Sequence, residues 1–152
     1  MNMRFWTVLA AGGSVALLAG AFTFQAMGYA PCQMCHWQRW PHMAAIVIGV
    51  LMFIFGVRGL AYIGAVAAAI TSGLGFFHAG VEQKWWDGPT SCTGGGALDG
   101  LSGNDLLSLD GAKLVMCDEI SWAMFGLSMP AWNGILSAVL VILWLKAARS
   151  SN

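Results

Sequence analysis

Four cysteines carry the chemistry open to this chain. Cys32 and Cys35 stand three positions apart in Pro31-Cys32-Gln33-Met34-Cys35-His36-Trp37-Gln38-Arg39-Trp40-Pro41, and Cys92 and Cys117 flank a glycine-rich stretch. Two such pairs suggest two disulfides able to exchange, a thiolate of one attacking a sulfur of the other through a mixed disulfide. Long apolar runs lie on both sides of the first pair. A redox-capable pair where a membrane segment ends reads as the place where electrons leave protein thiols for a membrane-dissolved acceptor. Arg39 follows Cys35 by four positions, so one helical turn would set both on one face. Its fixed charge would hold a thiolate at Cys35, and its guanidinium could donate to a carbonyl oxygen of a ligand.

Other readings of the same residues compete. A C-x-x-C pair binds zinc in many proteins, here with or without Cys92 and Cys117. Cys32-Gln33-Met34-Cys35-His36 also matches the c-type haem attachment pattern, which would make the chain a haem-bearing membrane anchor. A non-enzymatic membrane protein could use the disulfides merely to brace its outer loops. His78 sits near the outer end of an apolar run, where polar residues lean towards function; His36 and His42 are weaker candidates.

The elements that position these residues follow from composition. The chain has 152 residues, 58% hydrophobic and only 9% charged. Soluble domains carry about 25% charged residues, so lipid must be part of this protein's solvent. Zero net charge argues against nucleic acid. Charge-free runs cover about 5–29, 41–57 and 60–81, and a fourth helix is expected over about 128–146. Spanning helices need about 20 apolar residues. Pro41 and Pro130 read as helix starts, because proline suits the first turn. The first run is longer than a signal-peptide core and lacks an A-x-A site, so it is read as a spanning helix. One membrane domain is expected, with outer loops over about 30–40 and 82–129. Arg4, Arg58, Lys146 and Arg149 then fall on one side, without an acidic residue, and all seven acids fall on the other. The positive-inside rule puts both termini in the cytoplasm and all four cysteines on the outer face, where disulfides persist. The second loop is rich in turn signals, and Leu106, Leu107, Leu109, Leu114, Val115 and Met116 within it suggest a short amphipathic surface helix. Trp37, Trp40, Trp85, Trp86, Trp122 and Trp132 suit an interfacial aromatic belt.

Taken together, Pro31-Cys32-x-x-Cys35-x-x-x-Arg39 between two spans, His78 with Glu82-Gln83 ending the third, a cysteine pair in a long outer loop, and Trp122-x-x-Phe125-Gly126-Leu127-Ser128-Met129-Pro130-x-Trp132-Asn133 entering the fourth resemble the disulfide bond formation protein B (DsbB) family. The likeness covers essentially the whole chain. It implies an all-α four-transmembrane-helix bundle of the bacterial inner membrane, with a periplasmic glycine-rich loop. It implies a monomeric thiol:quinone oxidoreductase that reoxidises DsbA, a soluble thioredoxin-like oxidant of the periplasm, and passes the electrons to a quinone (ubiquinone or menaquinone). By position, Cys92 would form the mixed disulfide with the partner and Cys117 would attack Cys32. Cys35 would be the thiolate facing the quinone, with Arg39 and His78 as quinone contacts and no metal. A sister branch of the family serving a dedicated partner would look the same.

Overall fold

The computed structural model describes residues 2–90, 92 and 116–150. The glycine-rich stretch and nearly all of the expected surface helix lie outside the described residues. Four helices are long and apolar enough to cross a membrane: α1 (Met3–Ala26), α2 (Gln33–Phe55), α3 (Gly59–Glu82) and α4 (Met129–Arg149). They close a ring in which α1 and α3 each pack against both α2 and α4. The fold is thus the four-helix membrane bundle expected from the apolar runs.

Each turn has a local cause. Asn2 caps α1 by accepting the Phe5 N–H at 3.1 Å. Gly56 ends α2 with a left-handed φ of 67°, a conformation glycine adopts without a Cβ penalty. A two-residue hairpin precedes α4: β1 (Ala123–Met124) pairs antiparallel with β2 (Leu127–Ser128), Ala123 opposite Ser128. Its turn residues Phe125 and Gly126 both have positive φ, 53° and 76°, as a type I′ turn requires. Pro130 sits in the first turn of α4, as expected.

Pro41 does not start a helix. It lies inside α2, which begins eight positions earlier than its expected start, at Gln33. Proline removes one helical hydrogen bond there, and sequence preference alone would break the helix. Tertiary packing decides otherwise. Met34 and Gln38 in the upstream turns are 1% and 6% exposed, and the Cys32 sulfur caps the start by accepting the Cys35 N–H at 3.3 Å. The C-x-x-C pair is therefore the cap and first turn of a helix, not part of a loop.

The helices approach closely through small residues, as bilayer-embedded bundles do. The fully buried Trp144 lies over Gly64, and Gly75 of α3 meets Gly134 of α4 backbone to backbone. A Cβ on Gly75 would stand 2.7 Å from the Gly134 nitrogen and 2.9 Å from the Pro130 carbonyl oxygen. Gly75→Ala is expected to cost about 1–3 kcal/mol through overpacking that neither backbone can relieve. Thermal unfolding of the purified protein in detergent checks this; Gly12→Ala, in open space, is the control.

Arg4, Arg58, Lys146 and Arg149 lie at the end of the bundle where α1 starts and α4 ends. Arg4 lies over the Phe53 ring and Lys146 over the Trp6 ring. The cysteines occupy the other end, Cys32 and Cys35 at the start of α2 and Cys92 and Cys117 packed against them beside Val81 of α3.

Candidate functional site

Both cysteine pairs meet in one buried cluster. Cys32, Cys92 and Cys117 pack with Met34 and Val81, and half-buried Cys35 lies against them. Cys92 and Cys117 form a disulfide across Cα atoms 5.1 Å apart. The Cys92 N–H reaches the Pro89 carbonyl at 2.7 Å and the Cys117 N–H reaches the Cys92 carbonyl at 3.0 Å. Cys32 and Cys35 are free thiols with sulfurs 3.0 Å apart. The hydrogen bond that Cys32 donates to Cys35, and then burial, push the Cys32 thiol well above its ordinary range. Cys32 is the member of the pair that keeps its proton.

His78, 2% exposed, brings Nε2 to 3.5 Å from the Cys32 sulfur. Its ring also reaches the backbone of Cys117. Behind it runs a buried polar network. The Gln38 amide contacts His78 Nδ1 at 2.9 Å, Asn133 Nδ2 donates to Gln38 Oε1 at 2.7 Å, and His42 Nε2 meets Asn133 Oδ1 at 3.0 Å. Thr71 donates to the Gln38 carbonyl at 3.0 Å. Arg39 takes a different role from the histidine. Its Nη1 donates to Gln25 of α1 at 2.8 Å, and its guanidinium sits 4.8 Å from the Phe22 ring centre. The α1 side chains thus hold it at the rim of the site.

A cavity of about 430 Å³ opens beside the cysteines, within the range of small-molecule sites. Leu17, Ala21 and Phe24 of α1, Trp122 and Met124 of the hairpin, and Leu136 of α4 give it apolar walls; Cys32, Cys35, Arg39, His78 and Glu82 contribute its polar edge. Apolar walls with a few polar groups at one end suit an apolar ligand that carries one or two hydrogen-bond acceptors.

All six residues singled out by sequence converge at this end of the bundle: Cys32, Cys35, Cys92 and Cys117 in one cluster, and Arg39 and His78 on the cavity wall. Sequence reasoning missed Gln38 and Asn133 and undervalued His42. Spacing could have found them, since Gln38 and His42, like Asn133 and Ser137, are four apart in otherwise apolar helices and share a face. His36 is exposed and lies outside the cysteine cluster. Among the described residues, Cys32, Cys35 and His78 have donor atoms within 4.8 Å of one another, close enough to share a metal ion.

Known proteins resemble this chain over most of its length. The family model for disulfide bond formation protein DsbB matches residues 3–147. Disulfide bond formation protein B of Marinobacter nauticus is 30% identical over 138 residues, 85% of this chain and 82% of the relative. The protein of that name from Stutzerimonas stutzeri is 30% identical over 151 residues, 90% of each chain. That from Paracidovorax citrulli is 29% identical over 155 residues, 95% of this chain and 88% of the relative. No solved structure matches.

Proposed function

This chain belongs to the DsbB family of disulfide bond formation proteins, and from that premise we propose that it is a thiol:quinone oxidoreductase of the bacterial inner membrane that oxidises a periplasmic DsbA-type dithiol. The observation that carries the reading is the packing of both cysteine pairs into one cluster beside an apolar cavity. Disulfide exchange needs the sulfurs close, and a lipid-soluble acceptor needs the cavity.

The steps balance as follows. A partner thiolate attacks Cys92 of the Cys92–Cys117 disulfide, forming a mixed disulfide and releasing the Cys117 thiolate. The partner's second thiolate displaces Cys92, and the partner leaves as a disulfide. Cys117 attacks Cys32 of an oxidised Cys32–Cys35 pair and releases Cys35 as a thiolate. Cys92 displaces Cys32 from Cys117, re-forming Cys92–Cys117 and leaving Cys32 and Cys35 reduced. With Cys92–Cys117 joined and Cys32 and Cys35 free, as the sulfurs stand in the structure, the two electrons would rest at the C-x-x-C pair. A quinone bound in the cavity supplies the acceptor for those two electrons and two protons. Cys35 faces the cavity and Arg39 stands at its rim as a cationic donor, so these residues hold the thiolate and orient a carbonyl oxygen. Periplasmic oxidants of this type sit near roughly −120 mV, so their acceptor must lie higher, as a quinone does.

A thioredoxin-like dithiol partner whose second cysteine is changed to serine is expected to be trapped on Cys92 as a mixed disulfide, because the partner thiolate that would displace Cys92 is gone. Non-reducing electrophoresis of the wild-type chain with that reduced single-cysteine partner reads this as a shifted band that vanishes in Cys92→Ser/Cys117→Ser. A wild-type protein that leaves such a dithiol reduced while its own disulfides persist would mean that they only brace the fold.

A further inference from the structure

The buried polar network fixes which nitrogen of His78 carries a proton. Two carbonyl groups, which can only accept, set its sense. The Gln38 side-chain nitrogen lies 3.3 Å from the Met34 carbonyl oxygen, so that atom of the amide must be the NH₂. The Thr71 hydroxyl commits its proton to the Gln38 backbone carbonyl, so it accepts from Asn133 Nδ2 at 3.3 Å. With both amides oriented, every remaining bond has one direction. Asn133 Nδ2 donates to Gln38 Oε1 and Gln38 Nε2 donates to His78 Nδ1. A neutral imidazole whose Nδ1 accepts carries its proton on Nε2, and that nitrogen faces the Cys32 sulfur, sharing its N–H with the backbone of Cys117 that the ring also reaches. Cys32 in turn donates to Cys35.

We propose that Gln38 and Asn133 are positioning residues that lock His78 as an Nε2–H donor to Cys32, making an ordered chain of donors that ends on the Cys35 sulfur. The chain explains why two thiols 3.0 Å apart are not equivalent. Cys32 is a sulfur that receives a proton bond from His78 and gives one to Cys35, so negative charge in the pair settles on Cys35. His78 is then not the base that ionises Cys32, since its Nε2 lone pair is committed to N–H. The same commitment blocks metal capture. Cys32, Cys35 and His78 have the right donor atoms within 4.8 Å, but a ligating Nε2 needs its lone pair free. The inference deepens the oxidoreductase reading and rests on it for its meaning, while its test uses neither quinone nor partner.

Nitrogen NMR of the full chain, labelled with ¹⁵N-histidine and with Cys32 and Cys35 reduced, reads the tautomer directly; the His78 signals are those lost in His78→Gln. The expected wild-type spectrum has the protonated nitrogen at Nε2 and the bare one at Nδ1. Gln38→Glu places an acceptor opposite Nδ1 and should move the proton there, freeing Nε2. Titration with zinc ion alone is the second readout. Gln38→Glu should bind zinc at least about tenfold tighter than wild type, the usual scale for a partner that orients a ligating histidine, and His78→Gln in that background should remove the gain. A wild-type His78 protonated on Nδ1 overturns the proposal, as does a tautomer unchanged in folded Gln38→Glu or wild-type zinc binding that depends on His78. The wild-type spectrum alone decides if Gln38→Glu does not fold.

Discussion

Cys35→Ser is expected to bring quinone reduction by the protein to background, while the Cys92–Cys117 disulfide and the four helices remain. Serine is close to cysteine in size, and Cys35 is only half-buried, with Cys32 as its main polar partner. The fold therefore loses little. The chemistry loses the one sulfur that combines a place on the cavity wall with a hydrogen bond from its pair partner. A hydroxyl cannot form a disulfide, so Cys32 has no partner sulfur to release and the two electrons stop at Cys92 and Cys117. Quinone absorbance followed with a reduced dithiol partner measures the loss, and circular dichroism measures the retained fold. Arg39→Ala should be milder, weakening quinone use without stopping dithiol attack on Cys92, because Arg39 is held at the cavity rim by Gln25 and Phe22.

Trp144→Ala is expected to do the reverse, lowering stability by about 3 kcal/mol while leaving the cysteine cluster in place. Trp144 is fully buried at the end of the bundle away from the cysteines. Its ring lies over Gly64, where an added Cβ would come within 2.6 Å of it, and close to Gly49. Large-to-small changes of this kind cost about 3–5 kcal/mol in soluble cores. Between lipid-embedded helices packing replaces the hydrophobic drive, which places the expectation at the lower end. Unfolding in mixed detergent checks it, and the disulfide-exchange rate of the folded fraction should be unchanged. The two substitutions thus separate the bundle's scaffold from its chemistry.

Much of this was legible from the chain alone. The apolar runs gave four helices, and the charges separated a basic end from the cysteine end, which Arg4 over Phe53 and Lys146 over Trp6 now bear out. The start of α2 was not legible. Pro41 carries a strong local signal, and only the burial of Met34 and Gln38 outweighs it. That shift matters, since it turns Cys32 into a helix cap. Nor could spacing say that Cys92 and Cys117 fold down onto Cys32, because that contact depends on how the connection after α3 returns. Gln38, Thr71 and Asn133 read singly as polar residues in apolar helices. Their meaning lies in amide orientation, fixed by the Met34 and Gln38 carbonyl oxygens, which no sequence pattern encodes.

The most direct test of the central claim is a stoichiometry. The purified protein with Cys32 and Cys35 reduced and Cys92–Cys117 oxidised is mixed with excess quinone, and the quinol formed is counted against thiols lost. The account predicts one quinol per chain, with the Cys32 and Cys35 thiols disappearing together and Cys92–Cys117 untouched. Thiols that persist beside fully oxidised quinone would contradict it.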